Sequence, residues 1–112
     1  MTKNKIDDFV NARNRFCDFI HAIHLNETVD EGIDGSPFCC LIDLAAAMVA
    51  GETVESFADE SREMEIRAVV DMADSASYIQ GIFTYRFGLK ALLDGARKAL
   101  DDMRKAVSQN GD

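Results

Sequence analysis

The sequence predicts a small all-α bundle, and three observations carry that prediction. The chain has 112 residues, 47% of them hydrophobic and 29% charged, which is too apolar for a disordered chain and sufficient for one core. One proline and seven glycines are too few turn residues for a many-stranded sandwich or barrel. Apolar residues recur at steps of three and four, the period of a helix with one buried face. A single domain over residues 1–112 with about four helices follows, at roughly 5–25, 37–50, 53–79 and 81–107, the last being long.

The first helix is set by Ile6, Phe9, Val10, Phe16, Cys17, Ile20 and Ile23, with Asp7, Asn11, Asn14, Arg15 and Asp18 left for solvent. Residues 26–35 combine Glu27, Asp30, Glu31 and Asp34 with Gly32 and Gly35, so an acidic loop is expected there. Ser36 and Pro37 open the second helix: the serine oxygen caps exposed amides, and the proline's missing N–H does no harm at the first helical position. That helix runs to Ala50, where Gly51 is expected to end it in a left-handed conformation. It is apolar on nearly all sides, so it should be surrounded by other elements.

The third helix has two hydroxyl caps to start from, Thr53 and Ser56, and a start near Thr53 is preferred. Its core positions are then Phe57, Met64, Val69, Val70, Ala73, Ala76 and Ile79, with Glu60, Glu63, Arg67, Asp71 and Asp74 on the opposite stripe. Gly81 marks a break or kink, with Ser77 and Gln80 available to cap a new helix. The last helix carries a heptad-like series, Ile82, Tyr85, Leu89, Leu92, Ala96, Ala99, Met103 and Ala106. Gly81, Gly88 and Gly95 recur every seven residues, and with Tyr85 and Leu92 they form an expected helix–helix or dimer interface, because small residues let another backbone approach closely. On its solvent side Lys90–Asp94, Asp94–Lys98, Arg97–Asp101 and Asp101–Lys105 are four apart and suited to pairing. Residues 108–112 should fray.

The second helix is short beside the others, about 21 Å against up to about 40 Å at 1.5 Å per residue. Apolar stripe ends near Phe83, Tyr85, Phe87 and Leu89, or near Met103 and Val107, are then left for a second copy or a different protein to cover. Twelve Lys and Arg against twenty Asp and Glu give a net charge of −8, the wrong sign for retention on nucleic acid or anionic lipid. Residues 52–80 hold eight acids and two bases, whereas residues 81–112 hold six bases and four acids. Opposite signs favour antiparallel docking of the third and fourth helices, although apolar stripes must dominate the energy.

The polar first twenty residues contain no signal-peptide core. The longest apolar stretch, residues 38–50, is interrupted by Asp43 and is shorter than the roughly twenty residues of a membrane span. Three cysteines cannot all pair within one chain, and adjacent Cys39 and Cys40 would need a strained ring. A reducing cytoplasm is the expected setting.

Chemistry-bearing groups are sparse. Cys17, His21 and His24 share a helical face and, with Cys39 or Cys40, would suit zinc, but Cys17 also falls in the apolar stripe, which favours a core role. The segment from Asp30 to Gly35 starts like a calcium loop, but Gly32 and Leu41 stand where ligands are required. Asp59, Glu60, Glu63, Asp71 and Asp74 resemble the acidic clusters of magnesium-dependent all-helical nucleotide pyrophosphatases. In that family the two clusters lie on separate helices across a cleft, whereas here both fall on one helix with Arg67 between them, favouring a solvated face. No nucleophile turn or glycine-rich phosphate loop is present, so no catalytic residue, cofactor or metal is assigned.

The preferred function is therefore a non-enzymatic protein–protein interaction module, such as an adaptor, inhibitor, immunity or phage accessory factor. Glu60, Glu63, Asp71 and Asp74 would form an acidic face toward a partner with a basic surface, and a homodimer is expected. The alternative is a metal-dependent nucleotide hydrolase of the pyrophosphatase type.

Overall fold

Steps of three and four place Phe9, Phe16, Ile20 and Ile23 on one buried side of the first helix, and the rest of the architecture assembles around that side. The computed structural model describes residues 5–31, 37–79 and 87–108. Among them there are five helices and no strand: α1 (Lys5–Glu31), α2 (Pro37–Ala50), α3 (Val54–Phe57), α4 (Glu60–Ile79) and α5 (Phe87–Ser108).

The four long helices close a ring in which α1 packs on α5 and α2, α2 on α4, and α4 on α5. Cross-links between them fix their directions. Arg13 donates to the carbonyl of Glu52 at 2.8 Å while His24 Nδ1 lies 3.3 Å from Asp43, so α1 and α2 run antiparallel. Arg15 bonds Asp102 at 3.0 Å and Phe19 abuts Gly95, which makes α5 antiparallel to α1. The result is an up-down-up-down bundle around Ile42, Ala45, Ile66, Val70, Leu93, Ala96 and Leu100, all fully buried. Removing each large apolar side chain from water stabilises the fold by about 1.5–3 kcal/mol.

The boundaries depart from the sequence reading in four places. First, α1 continues to Glu31, through six residues of the acidic loop expected over 26–35. Polarity alone does not stop a helix, and no glycine or proline intervenes before Gly32. Second, Gly51 follows α2 without entering the left-handed region; the turn closes instead through the Glu52 N–H donating to the Val49 carbonyl at 3.0 Å.

Third, the single helix expected over 53–79 is divided into α3 and α4. Thr53 caps α3 as expected, and Ser56, the rival start, completes the same box: its N–H donates to Thr53 Oγ1 at 3.1 Å while the Thr53 N–H donates to Ser56 Oγ at 2.8 Å. At Asp59 the side chain accepts the Ser61 N–H at 3.0 Å and the carbonyl accepts the Arg62 N–H at 3.0 Å. The aspartate thus opens α4 in the way a capping residue opens any helix. Fourth, Ser108 is still helical, its hydroxyl donating to the Lys105 carbonyl at 3.2 Å. The start of the last helix at Gly81, and the fraying expected beyond 108, lie outside the described residues.

Division of the third helix resets its phase. Phe57 belongs to α3, so the seven-residue step from Phe57 to Met64 no longer marks one face: Met64 is exposed and Ile66 is buried in its place. Neither is α2 surrounded, because a four-helix ring has no central position and each member keeps an outer side. Leu89, Met103 and Val107 are buried within the chain, so the stripe end expected at Met103 and Val107 needs no partner to cover it.

Gly95 has a defined task inside the molecule. A Cβ built on it would lie 2.5 Å from Phe19 Cε1, too close for any real contact. Gly95→Val should therefore destabilise the protein by about 2 kcal/mol and Gly95→Ala by less, since alanine recovers about 1 kcal/mol of helix propensity. In a double-mutant cycle by urea denaturation, much of the Gly95→Val loss should disappear in a Phe19→Ala background; equal losses in both backgrounds would contradict this packing role.

Candidate functional site

The expected acidic face is split in two by the fold. Of its four acids, Glu63 is 14% exposed and accepts from Arg67 Nε at 2.6 Å and from Arg104 Nε at 2.7 Å. Asp71 and Asp74 take the Nη2 of Arg97 at 3.1 and 2.8 Å. Arg67 also bonds Asp101. Partner numbers fall on α5 as they rise on α4, so an antiparallel arginine ladder joins the two helices. Three of the four acids thus serve an internal seam, and Glu60 stays exposed.

The ladder also redirects the bases of α5. Arg97, expected to pair along its own helix with Asp101, and Arg104 both reach across to α4, although Arg97 also touches Asp94 at 3.4 Å. Lys98 pairs with Asp102 at 3.1 Å, and Asp101 is drawn to Arg67.

Sequence reasoning missed a second polar cluster, at the end of the bundle. Glu52 is 5% exposed. Its carboxylate accepts from Arg62 Nε at 2.7 Å and Ser56 Oγ at 2.9 Å, while its carbonyl takes Arg13. A buried carboxylate needs such partners, because leaving one charge unpaired costs several kcal/mol. Beside it Phe57 meets Phe9 edge-on at 5.6 Å between centroids. The Arg104 guanidinium lies 5.3 Å from the Phe57 ring centre and donates to the Phe57 carbonyl at 2.8 Å. In sequence Glu52 looks like one more loop acid after a glycine, and nothing local distinguishes it.

The other candidates do not assemble. Among the described residues no three of His, Cys, Asp or Glu gather into a group able to hold a metal ion. Cys17 is half-buried, and burial pushes its thiol pKa up, against a smaller opposing effect from Arg13. His21 is exposed and His24 faces Asp43. Of the expected interface row, Gly95 meets Phe19 of α1 and Leu92 packs against the core. Gly88 lies within α5, and Gly81 and Tyr85 fall outside the described residues.

Among the described residues five large apolar side chains are exposed, Ile6 and Leu25 on α1 and Leu44, Met64 and Met72 on α2 and α4, and the last three lie on the sides of α2 and α4 away from the core. The row Cys40, Leu44 and Ala47 on α2 is exposed, as is the row Met64, Ala68 and Met72 on α4. Each row follows helical steps of three and four and so forms a continuous stripe. Leu44, Met64 and Met72 are 47%, 68% and 50% exposed, with half-buried Leu41 and Met48 on α2. The bond from Arg62 to the Met48 carbonyl at 3.4 Å sets the register of the two helices. Comparison with known protein families, with curated proteins and with solved structures found no significant match. No helix among the described residues is long and apolar enough to cross a membrane.

The polar seam has a testable pH signature. Burial raises the Glu63 pKa, but hydrogen bonds from Arg67 and Arg104 outweigh it and hold the carboxyl below its ordinary value of 4.5. Asp102 is likewise held below 3.8 by Lys98 and Arg15 against its burial. A carboxyl with a depressed folded pKa stabilises fully above its unfolded pKa, and the contribution is lost as pH falls through the folded value. Urea unfolding should therefore show stability dropping from about pH 5 downward, and Glu63→Gln should flatten that drop while costing about 1–2 kcal/mol at neutral pH. An unchanged acid limb in this variant would contradict the assignment.

Proposed function

We propose that this chain is a non-enzymatic interaction module, of the adaptor or inhibitor kind, that grips another protein through the outer side of α2 and α4. The observation that carries the reading is the exposure of Leu44, Met64 and Met72 on two neighbouring helices. Large apolar side chains exposed together on neighbouring helices are a mark of interaction sites on folded proteins. The electrostatic part of the function moves with it. Glu63, Asp71 and Asp74 are engaged with arginines of α4 and α5, so a basic partner is met by exposed Glu60 and by Glu65, which is exposed and touches Arg62 of its own helix at 3.4 Å.

Two further features support the reading. All three cysteines are free thiols, which suits a reducing cytoplasmic setting. On α5 Gly95 meets Phe19 and Leu92 packs against the core, so the surface proposed here is the one on α2 and α4. Of the carboxylates of the hydrolase alternative, Glu63, Asp71 and Asp74 are bonded to arginines that compete with a cation for their oxygens, while Asp59 caps α4 and Glu60 is exposed.

A photo-crosslinking side chain placed at Leu44 or at Met64 should give a discrete adduct with one partner in the protein's own host cells. The same group at Lys98, exposed on α5, should not give that adduct. Identical adduct patterns from all three positions, or no adduct from Leu44 and Met64, would overturn the proposal.

A further inference from the structure

Charge around the α2–α4 face is distributed very unevenly. Residues 37–79, which contain α2, α3 and α4, hold nine acids, no lysine and two arginines, so nearly all of the chain's net −8 originates there. Both arginines are already bonded to acids: Arg62 to Glu52 and Glu65, and Arg67 to Glu63 and Asp101. Asp43 on α2 and Glu60, Glu65 and Asp71 on α4 are all exposed, with Asp43 beside His24, Glu65 touching Arg62 and Asp71 bonded to Arg97, so the outer side of α2 and α4 carries exposed carboxylates alongside its apolar rows. Three of the chain's five methionines, Met48, Met64 and Met72, belong to this face. Methionine is unbranched and polarizable, and it adapts to partner side chains of varied shape.

An apolar strip between two antiparallel helices accepts a third helix as a ridge accepted by a groove, with anchors repeating at steps of three and four. A second copy of this chain would bring carboxylate rim against carboxylate rim, and like charges so placed oppose association. We propose that the occupant is a basic amphipathic helix of another protein, its apolar side on Leu44, Met64, Ala68 and Met72 and its Lys and Arg residues beside Asp43, Glu60 and Glu65. This inference rests on the interaction reading and adds to it the partner's chemistry and the seat it takes.

Three synthetic eighteen-residue peptides test it. One contains leucine and lysine arranged to give one apolar side, the second has the same composition scrambled so that no side forms, and the third replaces every lysine of the first by glutamate. The protein carries 13C-methyl methionine, so each methionine reports separately. The first peptide should shift the Met64 and Met72 signals saturably while Met103, buried in the core, stays still. The exposed-site variants Met72→Lys and Leu44→Lys, checked for unchanged helicity, should each weaken binding at least about tenfold.

Equal binding of the scrambled peptide would reduce the effect to bulk charge and overturn the inference, as would equal binding of the glutamate peptide. Saturable binding without Met64 or Met72 shifts would place the peptide elsewhere, with the same consequence. A Leu44 crosslink of twice the chain mass would seat a second copy and also overturn it. If discrete crosslinks to another protein form but no peptide binds, only the partner's chemistry is wrong. If no crosslinks form, the interaction reading itself falls.

Discussion

The constraint on which the structure turns is the shortness of α2. Fourteen residues span about 21 Å, whereas α1 extends about 40 Å and α4 and α5 about 30 Å or more. A ring of four helices with one short member would be open at one end. Residues 51–59 supply the missing length, and they do so as a corner. The chain leaves α2 through the Glu52 turn, folds the single turn of α3, and drives Phe57 into the end of the bundle between Phe9 and Arg104. Seen this way, the break at Ala58 and Asp59 is a structural requirement. A continuous helix from Thr53 could not both turn the corner and run back along α2.

That corner explains why charge is buried there. Glu52 is carried inward by the turn, and a buried carboxylate is tolerated only with donors on more than one side. Arg13 from α1, Ser56 from α3 and Arg62 from α4 converge on its carbonyl and carboxylate. Arg104 performs the matching task from α5, bonding Glu63 and the Phe57 carbonyl. Every long helix except α2 thus sends an arginine into one end of the molecule. Their attraction in partly buried surroundings exceeds that of surface pairs, and their directional bonds fix the order of helices that apolar contacts alone leave interchangeable.

Much of the fold was legible because helix periodicity and capping act locally. The Thr53 cap, the Pro37 start, the buried stripe of α1 and the opposed charges of α4 and α5 each follow from residues a few positions apart. The misreadings have two sources. The run from Asn26 stays helical for a local reason, the lack of a breaker before Gly32, which its polarity obscured, whereas only the corner at Asp59 moves Met64 from the inside to the outside. Glu63, Asp71 and Asp74 read as a solvated face until arginines arrive from α5, about thirty residues away in sequence. The outward row on α2 was hidden by the opposite error, since uniform apolarity suggests an enclosed helix.

Folding gives a reason for the apolar inner side of α2 and none for its outer side. Ile42, Ala45 and Val49 must be apolar because α1 and α4 lie against them. Cys40, Leu44 and Ala47 point away from both, and a lysine or glutamine there would be solvated at no cost to the core. On α4 the same holds for Met64 and Met72, whose helix propensity is shared by glutamate, glutamine and lysine. The exposed rows therefore contribute little to the stability of the isolated chain and carry a solubility penalty. In the proposed interaction another surface would remove them from water, and the exposed acids of α2 and α4 would set the sign of the surface that fits.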